Sequence, residues 1–210
     1  MPNGLHVDEA GMAFDALSLI TNGTDRYLNN LPVYLINFGG GQSVLYAALT
    51  SIWVGIFGIN ATIIRIPSVL ITLISLIAIY KLIKKKVGNK EALLISFLYA
   101  IVPFNIMKSR WALDAYLFAP MLSISVCILI CAIDKCNYKY FVLAGILFGL
   151  TLYTYIISYV IIPIILAIFF SIFFLRYEYH IMQHIKLFTS RAVQPSKITI
   201  IKFGITTKTN

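Results

Sequence analysis

The apolar residues of the chain come in long blocks that short polar stretches separate. Residues 66–83, 91–107 and 117–133 are almost wholly apolar, and residues 141–175 form a longer apolar run. A helix needs about 20 apolar residues to cross a bilayer, so each of the first three blocks predicts one span. The last block exceeds one crossing and predicts two helices that turn near residues 154–159.

A more mixed pattern precedes these blocks. Residues 8–21 carry apolar residues at helical spacing and predict a helix that Asp8 caps and Asn22-Gly23 ends. A loop rich in Gly, Asn and Tyr follows, and its apolar residues suggest that it lies on the membrane surface. Residues 44–58 are apolar but short for a span, which favours an interfacial helix and leaves a crossing as the alternative.

Composition places the chain among membrane proteins. It has 210 residues, of which 60% are hydrophobic and 12% are charged, and its mean hydropathy is +0.86. A soluble domain would have about 25% charged residues. The fold class that we predict is therefore an all-α integral membrane protein, a multi-spanning helical bundle with interfacial helices in its first outer loop.

The net charge of +9 would suggest nucleic acid as a partner in a soluble protein. Here the lysines flank apolar spans, so they set topology, and we expect a lipid bilayer and no nucleic acid as partner. The loop from Lys84 to Lys90 is then cytoplasmic and residues 108–116 lie outside. If 44–58 is interfacial, the opening segment shares that outer face; if it crosses, the two polar sets lie on opposite faces.

This topology divides the chain into three parts. We expect residues 1–60 to be an extracytoplasmic loop, 61–175 to be a bundle of about five spans, and 176–210 to be a basic tail that is aberrant or truncated. We expect no metal site or structural disulfide from the cysteines or from the two histidines of the tail, which lack the glutamate of an HExxH motif: Cys127, Cys131, Cys136, His180 and His184.

The first candidate for chemistry is the acidic pair Asp8-Glu9, with Asp15 on roughly the same helix face. Carboxylates at a membrane surface can take a proton from an acceptor hydroxyl or hold a divalent cation. The simpler interpretation is a surface helix with a capping acid and solvated charges. The local pattern leaves both interpretations open.

The second candidate is the loop "KSRWALDAY". Lys108 and Arg110 suit a phosphate, and Asp114 is spaced to hold Arg110 at i, i+4. The alternative is ordinary interfacial anchoring by Trp111. Arg65, in "IRIPS" at the edge of a span, is expected to snorkel to the headgroups or to meet a lipid phosphate.

Two stretches together carry a family resemblance. The segment "HVDEAGMAFDALSLITNGTDRYLNNLPVYLINFGGGQSVLYAAL" and the later "IRIPSVL" resemble the first outer loop of the bacterial multi-spanning glycosyltransferases with the GT-C fold. These are the dolichyl-phosphate-mannose protein mannosyltransferase-like proteins, glycosyltransferase family 39 and its relatives. An Asp-Glu pair at the head of an interfacial helix is that family's hallmark, and "SRWALDAY" also fits its pattern.

The resemblance implies an inverting transfer of a hexose or pentose from a polyprenyl-phosphate donor, at the extracytoplasmic face of the cell membrane. The acceptor would be a lipid, a glycan or a protein. By position, Asp8 would be the catalytic base, and Glu9 would orient the acceptor or support Asp8. The substrate-binding residues would be Arg110, Lys108, Asp114 and Arg65. No metal ligand is assigned, and a divalent cation stays open as a cofactor.

Members of the family begin with a spanning helix ahead of the Asp-Glu loop and are longer than this chain. We therefore expect a piece of a larger enzyme, whose activity as this short chain is left open. The alternative is a non-catalytic membrane protein: an inactive fragment, a transporter piece or an assembly subunit. The side of the membrane on which Asp8 lies discriminates between the two hypotheses.

Overall fold

A computed structural model describes residues 4–37 and 40–192, and describes side chains up to residue 175 apart from that of residue 40. The predicted helical fold is confirmed, with one small β-hairpin that the sequence did not indicate. The elements of this part of the chain are α1 (Val7–Asn22), β1 (Tyr34–Asn37), β2 (Gly40–Ser43), α2 (Val44–Phe57), α3 (Ala61–Lys86), α4 (Asn89–Ile101), α5 (Pro103–Ser109), α6 (Asp114–Lys135), α7 (Tyr138–Leu152) and α8 (Ser158–Ala192).

The chain divides into two compact units, residues 1–162 and residues 163–210. The first unit contains every candidate site residue. In the second unit the backbone is helical to Ala192, so the first half of the predicted tail is helix. The histidine side chains of the tail lie outside the described side chains, and residues 193–210 lie outside the described residues. The break between α7 and α8 falls at residues 153–157, where the apolar run predicted a turn.

Three described helices are long and apolar enough to cross a membrane: Ala61–Lys86, Asp114–Lys135 and Ser158–Leu175. The pair α4 and α5, bent by 65°, would be a fourth if it is one broken span. Helices α2 and α7 are apolar but shorter. The predicted bundle of about five spans stays a prediction, because it is reached only if α7 crosses as well.

Helices α3 and α6 carry polar groups at both ends. At one end the ammonium groups of Lys85 and Lys86 pair with the two carboxylate oxygens of Asp134, at 3.2 and 2.5 Å. At the other end lie Arg65 and Asp114. Arg65 and Lys86 are 21 residues apart in α3, or about 31 Å at 1.5 Å per residue, which matches the hydrocarbon thickness of a bilayer.

The predicted span over residues 91–107 is broken by proline. Pro103 has no N–H, so the carbonyl of Tyr99, four residues earlier, loses its helical partner. The side-chain amide of Asn105 donates to this carbonyl instead, at 2.8 Å. The hydroxyl of Ser68 in α3 donates to the carbonyl of Lys108 at 3.1 Å and ties α5 to α3. The bend is therefore fixed by hydrogen bonds and is part of the fold.

Helix α1 begins one residue earlier than predicted, and its cap is His6, so the assignment of Asp8 as the cap is wrong. His6 Nδ1 accepts from the backbone N–H of Asp8 at 3.3 Å, and Glu9 Oε2 accepts from the N–H of His6 at 3.0 Å. This reciprocal capping box satisfies two N–H groups of the first turn. The predicted end is confirmed: Gly23 has φ 70° and donates to Leu19 at 3.1 Å.

The loop after α1 is organised by a buried carboxylate. Asp25 accepts hydrogen bonds from the backbone of Tyr27 and Asn29, both at 2.9 Å, and from the Asn29 amide at 2.8 Å. Leu28 and Leu31 have positive φ, and their side chains are 75% and 80% exposed. The loop thus has a polar centre and an apolar outer surface, as a segment lying on a membrane would.

An apolar core joins α1, the hairpin and the ends of α2, α3 and α6. The phenol of Tyr46 lies within it and donates to the carbonyl of Ile64 at 2.9 Å. The buried members of this core are Met12, Ala13, Leu35, Tyr46, Ala47, Val54, Ile64, Ala112, Leu117 and Met121. The core holds α1 against the ends of α3 and α6 that carry Arg65 and Asp114.

Candidate functional site

Glu9 and Arg65 form a buried ion pair. Arg65 Nε donates to Glu9 Oε1 at 2.9 Å and Arg65 Nη2 donates to Oε2 at 2.7 Å, and each residue is 1% exposed. Arg65 Nη2 also donates to the carbonyl of Gly4 at 3.0 Å. The expectation that Arg65 snorkels to headgroups is wrong, because the structure buries its guanidinium and pairs it with the carboxylate of Glu9. Its guanidinium is thus held by Glu9 and by the carbonyl of Gly4.

Glu9 also connects α1 to the loop before α6. Its Oε1 accepts from the backbone N–H of Ala112 at 2.7 Å. Residues 8–9 and residues 108–116 therefore lie on the same face, and the alternative that placed them on opposite faces is wrong. Burial alone would raise the pKa of Glu9, but the hydrogen bonds from Arg65, Ala112 and His6, with the charge of Arg65, outweigh it and lower the pKa. Glu9 is thus an ionised carboxylate whose oxygens are already occupied.

Asp8 is the accessible member of the acidic pair. Its side chain is 37% exposed, and its Oδ1 accepts from the amide of Asn37 at 3.1 Å. Its Oδ2 lies 3.3 Å from Nδ1 of His6. Asp8 therefore keeps one open side, and the other side is held by α1 and the hairpin.

The orientation of Asn37 follows from a second ion pair. Arg26 Nη1 donates to Asn37 Oδ1 at 3.4 Å, and Arg26 Nε donates to Asp15 Oδ1 at 2.9 Å. Arginine has only donors, so it faces the amide oxygen of Asn37 and the amide NH₂ turns to Asp8. Asp15, predicted to share a face with Asp8, is fully buried and pairs with Arg26, whose side chain is 18% exposed. It is linked to Asp8 through Arg26 and Asn37.

Asp114 is held at the start of α6. Its Oδ2 accepts from the N–H of Ser43 at 3.0 Å and its Oδ1 from the N–H of Ala115 at 2.7 Å. Its carboxylate is close enough to that of Asp8 for the two to repel each other. The predicted pair with Arg110 does not form in the described structure, because Arg110 precedes α6 and the i, i+4 rule holds only within one helix.

Arg110 is exposed and lines a groove of about 270 Å³ between α3 and the bent pair α4–α5. The groove is mostly apolar and is lined by Val69, Thr72, Leu73, Leu76, Tyr99, Ala100, Asn105, Ile106, Ser109 and Arg110. Lys108 turns elsewhere: its Nζ lies 3.7 Å from the centre of the Phe104 ring, a cation–π contact. Of the two cations predicted to meet a phosphate, Arg110 lines the groove and Lys108 covers an aromatic ring.

Sequence reasoning did not identify His6, Asn37 or Arg26 as site residues. His6 completes a capping box with Glu9 in the structure, but the sequence signature of that box has Ser or Thr at the cap, so His6 gave no clear signal. Asn37 and Arg26 had no local signal, because their partners lie 29 and 11 residues away. Within the described residues, no group of three or more His, Cys, Asp or Glu side chains could hold a metal ion.

Comparison with known proteins gives one family. Residues 42–191 match the sequence profile of the family described as dolichyl-phosphate-mannose-protein mannosyltransferase, which is 150 of the 210 residues. The match includes Arg65, Arg110 and Asp114 and begins after the acidic pair. No curated protein and no solved structure gives a significant match to the chain.

Proposed function

Because the chain belongs to the dolichyl-phosphate-mannose-protein mannosyltransferase family of membrane glycosyltransferases, we propose that Asp8 is the general base of a sugar transfer from a polyprenyl-phosphate donor. The observation that carries the proposal is the contrast between the two adjacent acids. Glu9 is buried and accepts from Arg65, Ala112 and His6, whereas the side chain of Asp8 is 37% exposed and accepts from Asn37. Asp8 is thus free to accept a proton, and Glu9 fixes the backbone that carries Asp8.

The chemistry needs a base and a site for the leaving group. An acceptor hydroxyl or amine attacks the anomeric carbon opposite the phosphate, Asp8 takes the acceptor's proton, and the configuration inverts. The leaving group is a phosphate anion, which a guanidinium stabilises as its charge develops. Arg110 has the exposure for this role and lies two residues from Ala112, which binds Glu9.

The groove supports the same donor. Its apolar walls suit the isoprenoid chain of the donor. Arg110 is one of its lining residues and would bind the phosphate to which that chain is joined. Asp114 repels an anion, so we assign it to the acceptor side, beside Asp8. Lys108 is assigned to holding α5 against α3, because its backbone carbonyl accepts from Ser68. Arg65 is assigned to holding Glu9.

The charges of the bundle ends support an extracytoplasmic site in the cell membrane. Lys85 and Lys86 lie at the end of α3 opposite Arg65. Lysine-rich loops are retained in the cytoplasm, so the acidic pair faces the other side. A polyprenyl-phosphate sugar presents its head group at a membrane surface, which is where Asp8 would meet it.

Asp8→Asn tests the proposal. Asparagine keeps an oxygen for the Asn37 amide but cannot take a proton, so we expect transfer from polyprenyl-phosphate mannose to fall about 10²- to 10⁴-fold. The variant should still fold, with a modest loss of Tm, because the Asp8 side chain is 37% exposed. Arg110→Gln should raise KM for the donor and lower kcat. Transfer at the wild-type rate by Asp8→Asn would remove Asp8 as the base.

A further inference from the structure

Nδ1 of His6 contacts two groups of Asp8, and the two groups require different protonation states of that nitrogen. His6 Nδ1 lies 3.3 Å from the backbone N of Asp8 and 3.3 Å from its Oδ2. The N–H needs a lone pair on Nδ1, and the carboxylate needs a proton there. A neutral imidazole with its proton on Nε2 meets the first demand, and an imidazolium meets the second. The cap of α1 and the charge of Asp8 are therefore linked through one atom.

The surroundings of His6 favour proton exchange with Asp8. Its side chain is 47% exposed, so Nε2 can exchange protons with water, and its ring contacts Trp111 with centroids 5.4 Å apart. The charged groups around it are mainly acidic. Asp8 is the direct partner, Asp114 repels Asp8 from α6, and Glu9 is bound to Arg65.

We propose that His6 is a positioning residue that holds Asp8 as a base and then receives the proton that Asp8 removes. The proposal rests on the proposed function of Asp8. The acceptor's proton passes to Oδ2 of Asp8 and then to Nδ1 of His6, and Nε2 releases a proton to water. Exchange with water then moves the remaining proton from Nδ1 to Nε2, which restores the tautomer that caps α1. No electrons are transferred, and the carboxylate is restored for the next turnover.

Each protonation state of His6 has a separate structural effect. With Nδ1 unprotonated, His6 caps α1 and leaves Oδ2 of Asp8 to the acceptor. With Nδ1 protonated, it donates to Oδ2, neutralises Asp8 and releases the N–H of Asp8 to water. Protonated His6 thus pairs with Asp8, and Asp8 cannot accept a proton from the acceptor while this pair persists.

The variant His6→Asn separates the two roles. Asparagine is a strong N-cap, so it keeps α1 capped, but it has no titratable group. A double-mutant cycle with Asp8→Asn, measured as thermal unfolding of the full chain in nanodiscs, reports the coupling of the two side chains. The cycle is measured at about pH 5.5 and at about pH 8.5.

At the lower pH the double variant should lose less Tm than the sum of the single variants, because one ion pair is lost once. At the higher pH the losses should add. Equal coupling at both values would overturn the proposal. This cycle needs no acceptor substrate, and it tests the coupling between the His6 and Asp8 side chains independently of activity.

Kinetics with polyprenyl-phosphate mannose as the donor tests the relay. We expect His6→Asn to lower kcat about 10-fold with unchanged KM and to flatten the acid limb of the pH–rate profile. Wild-type kcat and profile in His6→Asn, with inactive Asp8→Asn, would overturn the role of His6 and leave the proposed function intact. Full activity of Asp8→Asn would instead overturn the proposed function.

Discussion

The guanidinium of Arg65 meets the carboxylate of Glu9 through two hydrogen bonds, Nε to Oε1 at 2.9 Å and Nη2 to Oε2 at 2.7 Å. The two residues are 56 positions apart and come from α1 and α3. This pair fixes the first turn of α1, and with it Asp8, against the end of a predicted membrane-spanning helix. The position of the candidate base thus depends on a contact between two buried side chains.

Glu9→Gln should destabilise the protein by about 3–5 kcal/mol, because it leaves the buried charge of Arg65 without a counter-charge. The measurement is thermal unfolding of the purified chain in detergent. The control is the double variant Glu9→Gln with Arg65→Met, which removes the orphaned charge. It should be more stable than Glu9→Gln alone, although it has lost more polar contacts. A double variant less stable than the single one would show that the pair does not act through its charges.

Acidification should lower the free energy of unfolding through two carboxylates, those of Asp25 and Glu9. Burial alone would raise the pKa of Asp25, but hydrogen bonds from Asn29 and Tyr27 outweigh it and lower the pKa, as for Glu9. Stability from both groups is fully present above their ordinary values of 3.8 and 4.5. It is lost as pH falls through the lower folded-state values, because the unfolded chain binds protons first.

The measurement is Tm between about pH 7 and pH 3, a window that includes the ordinary carboxyl titration. Asp25→Asn keeps an oxygen for the backbone N–H groups but has no proton to bind. Its curve should be flatter than that of wild type at the acid end. Parallel curves would mean that Asp25 does not contribute to the acid sensitivity.

The hydrophobic pattern alone located most helices of the bundle, because long apolar blocks have few alternatives to a spanning helix. It also located the break between α7 and α8, because residues 141–175 are too many for one crossing of the bilayer. It predicted a continuous helix through Pro103, where the bend depends on the Asn105 amide and on Ser68 of another helix. Local pattern carries no information about such a partner.

The sequence identified some residues of the candidate site by their type, but it did not identify their partners in other elements. The acidic pair and the loop 108–116 were identified from residue type, and the structure brings them together through Glu9 and Ala112. Arg65 was placed at the headgroups because its partner lies 56 positions earlier. The roles of Asn37 and Arg26 depend on the hairpin, which the Gly-rich sequence did not reveal.

Gly11→Ala should destabilise α1 even though alanine is the better helix former. A Cβ at Gly11 would lie 2.7 Å from Nη2 of Arg26, so the guanidinium would have to leave Asp15 and Asn37. We expect a net loss of about 1–2 kcal/mol, as for a broken buried hydrogen bond. The control is Gly145→Ala in α7, where a Cβ meets nothing within 4 Å and should stabilise by up to about 1 kcal/mol. Equal effects at the two positions would contradict the steric argument.

Ala100→Trp should fill the groove between α3 and the bent pair and compete with the donor's lipid. We expect KM for polyprenyl-phosphate mannose to rise about 10-fold while kcat changes little, because the chemistry is untouched. The control is Leu93→Trp, on the same helix α4 but 64% exposed and outside the groove. If both variants raise KM equally, the groove is not where the donor binds.

An impermeant maleimide should report which face carries the acidic pair, with a native cysteine as the control. Cys136 is exposed beside Lys135 at the lysine-rich end of α6, whereas Asn30 is an exposed polar residue in the loop after α1. In intact cells, Asn30→Cys combined with Cys136→Ser should be labelled, because the positive charges keep the opposite end inside. Wild type should be labelled at Cys136 only after permeabilisation. The reverse result would place Asp8 in the cytoplasm, where the non-catalytic hypothesis would replace the transferase.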